Sequence, residues 1–394
     1  LQMDLSAITD AFVIVVVGGL GSLPGAYLAA VLIAVLQAYG IVLVPRATLV
    51  LAFAVMAVVL MVRPNGLLGQ PLAETRLAGG AVPLVRPAPP AARILGACAL
   101  IAAVAAPFYV GSYGLSVLTE AMVAILFAAS LHFVMGPGGM PSFGHAAWFG
   151  LGAYAAGFIV VAKGPMLGGL AVAPLLAGIV AALLAWFTVR LSGVYLAMIT
   201  LAFAQIVWAV AFQWVEVTGG DNGMLNVWPA RWAGTPASFY WLALVLCIAA
   251  TLLLRRILYA PFGYALRATR DSAQRSAAIG LDSLRLRIAG FAIAGAAAGL
   301  SGGVFALGKG SVFPSYADIP RSVDALLMVL LGGVHTMAGP IVGALAYTGL
   351  YDVLIQSTDL WRLVLGLAIV VLVVAFPEGI AGAASRVWFR RRSA

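Results

Sequence analysis

The sequence is poor in charge: only 9% of its 394 residues are Asp, Glu, Lys or Arg, against about 25% in an average soluble domain. With 63% hydrophobic residues, a globule in water has too few polar groups to cover its surface. A water-soluble enzyme and a disordered chain are both excluded. Cysteine is nearly absent, and Cys98 and Cys247 lie in apolar runs, which excludes a disulfide framework and reads as two small buried hydrophobes. The three histidines are not paired at ligand spacing, so a metal site is not expected. There is no general acid/base pair and no nucleophile triad. Leu1–Asp10 carries no basic n-region, so no signal peptide is read there.

Long apolar runs are what remains. They are continuous and do not alternate, so the expected fold is all-α: a polytopic helical transmembrane protein. Candidate spans are 10–22, 24–41, 47–62, 93–108, 114–135, 146–162, 168–189, 194–215, 237–256, 287–308, 324–337, 339–356 and 360–376. Several are short or broken by Gly and Pro, which places them inside a bundle, away from lipid.

The net charge of +9 reports orientation, since the basic residues fall between apolar runs; no nucleic-acid partner is expected. Arg63, Arg76, Arg86 and Arg93 fill one connection, seven arginines from Arg255 to Arg287 a second, and Arg386, Arg390, Arg391 and Arg392 the tail. All three segments are expected on the cytoplasmic side, with the Trp-rich stretch 216–236 outside.

Pro64, Pro71, Pro83, Pro87, Pro89 and Pro90 break the chain at one clear boundary. Across it runs an internal repeat. Asp10-Ala11, six apolar residues and Gly18-Gly19 match Asp324-Ala325, six apolar residues and Gly332-Gly333, at an offset of 314. Arg63-Pro64-Asn65-Gly66 matches Phe376-Pro377-Glu378-Gly379 at an offset of 313. The expected organisation is a C-terminal fragment of a first module over 1–70, a Pro/Arg-rich cytoplasmic linker over 71–92, a complete module of about ten spans over 91–383, and a basic tail over 384–394. The head of the first module is missing, which points to a fused or fragmentary pair.

The most informative polar segment is the loop 257–286. Tyr264 to Ile279 contains neither Gly nor Pro, and its composition predicts one helix. Ala273, Ala277 and Gly280 form a small-residue face on it, with Arg267, Arg270 and Arg275 mostly off that face. Such a helix either docks into a groove of a soluble partner or is an ordinary basic loop.

Here the residues become specific. Gly263-Tyr264-x-Leu266-Arg267-Ala268-x-Arg270-Asp271-Ser272, followed by Ala277-Ala278-Ile279-Gly280, resembles the ATPase-contacting loop of permeases of branched-chain amino-acid ABC importers. Ser142-Phe143-Gly144-His145-Ala146-Ala147-Trp148-Phe149-Gly150 is similar to an early block of that family. Gly193-Val194-Tyr195 through Gln205, with Thr218-Gly219-Gly220-x-Asn222-Gly223, is similar to its central signature, and Asp324–Gly339 to its terminal block. Residues 1–70 resemble the C-terminal end of the sister permease. Aligned on Gly280, the general importer pattern Glu-Ala-Ala-x-x-x-Gly would place Glu at Gln274 and Ala at Arg275 and Ser276, and the sequence departs from it there.

The resemblance implies a membrane subunit without enzymatic activity of its own, in the inner membrane with its C-terminus cytoplasmic. It implies ABC ATPase subunits that hold ATP and Mg, a sister permease, and a periplasmic or lipid-anchored substrate-binding protein; this chain itself holds no cofactor. The cargo implied is Leu, Ile or Val, with urea, short amides, aromatic acids or sugars as related cargoes. An ion-coupled secondary transporter is the reading from another class, weakened by the scarcity of intramembrane carboxylates. Gly303-x4-Gly308-Lys309-Gly310 nearly spells a phosphate loop, but Gly310 stands where Ser or Thr must hold Mg²⁺. The loop residues implied are Gly263, Arg267, Arg270, Ala277 and Gly280. Candidate pathway residues are Thr200, Gln205, Glu120 and His145; helix–helix hydrogen bonding for the first two, ion pairing for Glu120 and core packing for His145 are the alternatives.

Overall fold

The computed structural model describes residues 2–43, 48–69, 90–376 and 378–383. Most of the proline-rich linker, the basic tail from 384 and Pro377 of the repeat lie outside the described residues. The described chain is almost wholly helical. In order come α1 (Gln2–Gly18), α2 (Leu23–Leu43), α3 (Thr48–Val62), α4 (Pro90–Ala105), α5 (Ser112–Met135), α6 (Ala146–Val161), α7 (Met166–Thr188) and α8 (Gly193–Gln213). The short α9 (Val215–Thr218) is followed by α10 (Pro236–Leu258), α11 (Pro261–Asp271), α12 (Ala273–Ala278), α13 (Ser283–Lys309), α14 (Ile319–Gly332), α15 (Gly339–Ser357) and α16 (Trp361–Ala375). Among the described residues, seven segments are long and apolar enough to cross a bilayer: α2, α5, α7, α8, α10, α13 and the one that begins with α16. The protein is a polytopic all-α membrane protein.

The ends of these helices follow local chemistry. Thr235 and Ser238 form a reciprocal capping box on α10. The Asp282 carboxylate accepts from the Leu284 and Arg285 N–H groups, both at 3.1 Å, and starts α13. Asp318 caps α14, with Pro320 in its first turn, so this helix begins five residues earlier than the apolar run predicts.

Long α13 is the axis of the bundle and packs on α5, α6 and α7. Small residues set that contact: Gly295 and Gly299 lie against Ala177, Ala181 and the Ala173 carbonyl of α7, as expected of close helix approach in a membrane. At the other side of the bundle α3 packs on α8.

The internal repeat is also a structural one. Helices α1, α2 and α3 fall, at the sequence offset, on α14, α15 and α16. Gly19 and Gly333, which end the first helix of each unit, have φ of +105° and +111°. Gly66 and Gly379 close each unit, with φ of +81° and +76°, against the backbone of Gly19 and Gly333 respectively. Only glycine reaches such φ values without strain and also leaves room for that backbone contact.

The loop end differs from its expectation. Instead of one helix over Tyr264–Ile279, the chain breaks at Ser272 (φ −164°, ψ 108°) into α11 and α12. The Ser272 hydroxyl accepts from Arg275 N–H at 3.3 Å, so a serine that could have continued the helix caps a new one.

Candidate functional site

Two stretches leave helical geometry inside the bundle. The first, 136–145, joins α5 to α6 and is buried or half-buried throughout except at Gly139. The second, 311–318, joins α13 to α14. Ser311 and Val312 pair antiparallel with Leu225 and Met224, and a 3₁₀ turn, Pro314–Ala317, follows. Non-helical backbone at membrane depth persists only where protein covers it. Helices α6 and α14 that follow have 16 and 14 residues, about 24 and 21 Å at 1.5 Å per residue, short of the roughly 30 Å hydrocarbon core. Each is the helical part of a discontinuous crossing.

Their N-termini meet. The Ala146 N–H at the start of α6 donates to Ser322 Oγ in the first turn of α14 at 2.9 Å. Phe143 N–H donates to Thr200 Oγ1 of α8 at 3.1 Å, and Thr200 donates in turn to the Ala197 carbonyl at 2.7 Å. Gln205 of α8 donates to Asp318 Oδ1 at 3.3 Å, the oxygen that also accepts from Ile319 N–H at 2.7 Å. His145 is fully buried, its Nε2 lying 2.8 Å from Ser130 Oγ. Ser130 gives its own proton to the Phe127 carbonyl at 2.6 Å, so Nε2 is the donor and Nδ1 a buried acceptor without a protein partner. Thr200, Gln205 and His145 therefore converge on the two breaks. Two helix N-termini pointing at one region place partial positive charge there.

Arg321 completes the cluster. Its guanidinium lies 4.8 Å from the ring centroid of Phe149 and 4.6 Å from that of Phe305. Tyr316 packs edge-on against Phe305 at 5.0 Å. Among the described residues no carboxylate lies within ion-pair distance of Arg321, and its buried Nε has no hydrogen-bond partner. Asp324, one turn on, is engaged by the Tyr347 hydroxyl at 2.5 Å. A cation at this depth is costly, a few kcal/mol on insertion scales, and here it is held by aromatic faces. The sequence alone gives no sign of Arg321, Ser322 or Tyr316 as site residues, because 309–323 reads as a connecting loop. The helix start at Asp318, with Pro320 behind it, was the legible signal.

Glu120 adjoins this cluster through its ion-pair partner. It forms an ion pair with Lys309 at the end of α13, both side chains about 40% exposed. That lysine, part of the near phosphate loop, is helical, and its Nζ lies 5.6 Å from the Phe305 ring.

At the loop end Gly263 is buried against the Leu258 backbone. Arg267 donates to the Leu258 carbonyl at 2.5 Å and stacks on Tyr259 and Tyr264; burial holds its guanidinium below the usual arginine range. Arg270 donates to the Gly136 carbonyl at 2.9 Å and lays its stem over Gly139. Both arginines face inward, toward the bundle. Ala277 and Gly280 face outward and are exposed, and Gly280 ends α12 with φ +84°.

A bundle with two broken crossings and a basic loop of two short helices fits a carrier subunit. The family described as branched-chain amino acid transport system permease component matches residues 113–374, well over half of the chain. This chain belongs to that family. The permease is 28% identical over 312 residues to the high-affinity branched-chain amino acid transport system permease protein LivM of Salmonella typhimurium, covering 71% of this chain and 73% of that protein. Against LivM of Escherichia coli it is 28% identical over 311 residues, with the same two coverages. A probable branched-chain amino acid transport permease protein LivM of Methanocaldococcus jannaschii is 25% identical over 262 residues, covering 56% of this permease and 75% of that protein. No solved structure matches it.

Proposed function

We propose that this permease imports Leu, Ile and Val across the inner membrane, driven by ATPase subunits that grip α11 and α12 from the cytoplasm. The observation that carries the reading is Arg321, a cation with no carboxylate within ion-pair distance among the described residues, beside the N-termini of two broken helices. A zwitterionic amino acid supplies the missing carboxylate, which a guanidinium fork and helix N-termini are suited to hold. The Asp318 carboxylate, Gln205 and the Nδ1 acceptor of His145 are the groups available to an ammonium. Phe149, Phe305 and Tyr316 offer apolar contact to a branched side chain. The curated LivM relatives, named for the same cargo, support the assignment.

The exposed Ala277 and Gly280 are the contact face for the ATPase, and the inward-facing Arg267 and Arg270 transmit its movement. A sister permease, a periplasmic or lipid-anchored binding protein and a cytoplasmic C-terminus complete the arrangement; ATP and Mg bind on the partner ATPases. The test is binding-protein-dependent uptake by the assembled complex in proteoliposomes, with a panel of radiolabelled amino acids, urea and amides. Uptake of Leu, Ile and Val that requires ATP is the expected result. Uptake of urea or amides in their place, or amino-acid uptake sustained by an ion gradient without ATP, overturns the reading.

A further inference from the structure

The two copies of the three-helix unit differ in what covers them. In α3, Ala52 and Met56 are buried, and so are their counterparts Leu365 and Ile369 in α16. These positions are buried in both copies. A second stripe of α3, Phe53, Ala57 and Leu60, is 8%, 5% and 0% exposed. Its counterparts are Gly366, Val370 and Val373 of α16, and all three are exposed, Val370 at 59%. The neighbours within the unit are the same in both copies, so they do not account for the difference. The helix present at α3 and lacking at α16 is α8, which packs on α3 in one apolar cluster containing Tyr195, Met198, Ile199 and Ala202.

We infer that the Gly366–Val370–Val373 face of α16 is the seat of an α8-type helix belonging to a second, non-identical permease module. The α1–α3 unit seated on α8 shows one half of that contact, and the α16 face is the reciprocal half, as in a pseudo-two-fold pair. A second copy of this chain is excluded as the occupant, because its α8 is already covered by its own α3. Gly366 stands in the stripe with no atom within 4 Å of the position its Cβ would take. A small residue there lets a partner backbone approach closely, which is what drives helix association where lipid is as apolar as leucine.

This rests on the permease working beside a second one, but not on the identity of the cargo, and the test reads no transport. A photo-reactive benzoyl-phenylalanine is placed at Val370, or at Ala57 as the internal reference, in the complex in its native membrane. The Ala57 probe is expected to capture peptide 193–213 of the same chain. The Val370 probe is expected to capture a peptide of a different permease that aligns with 193–213. Adducts to lipid alone, to 193–213 of this chain or to any other protein segment overturn the inference. Independently, Gly366→Trp is expected to lower recovery of the second permease at least tenfold while ATPase recovery through α11 and α12 is kept. Unchanged recovery of the second permease overturns it as well.

Discussion

The unit α1–α3 and the unit α14–α16 share one backbone design and put it to two uses. Both end their first helix at a glycine with φ above +100° and close against it with a second glycine. Asp318 and Asp324 have the same residue in the copy, Asp4 and Asp10. The copies differ at three positions of the cluster: Arg321, Ser322 and Tyr347, which holds Asp324, correspond to Ala7, Ile8 and Ile33. One unit carries a guanidinium and two hydroxyls there, and its copy has apolar residues. The architecture is a packing solution, and three substitutions on it separate the polar cluster from its apolar copy.

The largest effect expected from separating the two is at Arg321. Arg321→Ala should lower Leu uptake by about 10- to 100-fold, the value of a hydrogen bond to a charged group, with assembly intact by co-purification. Arg321→Lys should recover part of it, since the charge stays and the fork is lost. Placing the arginine in the copy, Ala7→Arg, should restore nothing. If Arg321→Ala transports normally, the two units do not differ in function.

Packing gives the next contrast. Leu60→Ala removes a fully buried side chain and should cost about 2–5 kcal/mol. Val373→Ala, at the matching position, should cost well under about 1 kcal/mol in the isolated chain. Thermal unfolding in detergent with and without the second permease checks both, and the Val373 penalty should grow when that partner is bound. At the paired turns, Gly19→Ala and Gly333→Ala should each destabilise by about 1–3 kcal/mol; φ matches, but Gly19→Ala should cost more, because its Cβ would also meet the Gly69 backbone while at Gly333 the close contact is the Glu378 carbonyl. Equal penalties would mean that the Gly69 contact yields without cost. The smallest effect is expected at the loop. Ser272→Ala removes the cap of α12 at a cost of about 1 kcal/mol, read as a several-fold weaker hold on the ATPase in pull-downs.

Much of this was legible in the residues. Continuous apolar runs mark every long helix because a span must hide its whole length, and the repeat shows in its glycines because a left-handed turn tolerates nothing else. The clustering of Thr200, Gln205 and His145 was readable only as separate polar residues in spans. Their meeting depends on where two chains dip into the bundle, which periodicity does not encode. The break at Ser272 escaped because serine is neutral within a helix and favourable at its start, and only the tertiary fold decides between the two. Arg321 escaped because the stretch around it is neither apolar nor periodic.

The hydrogen bond from Arg270 to the Gly136 carbonyl has a mechanical meaning. It clamps the foot of a ten-residue strut whose head carries His145 and the Ala146 amide. The segment is buried along most of its length. On the proposed reading, a shift of α11 under the ATPase reaches the α6 N-terminus through this backbone, and a permease whose clamp is cut should idle: its motor turning over, its load standing still.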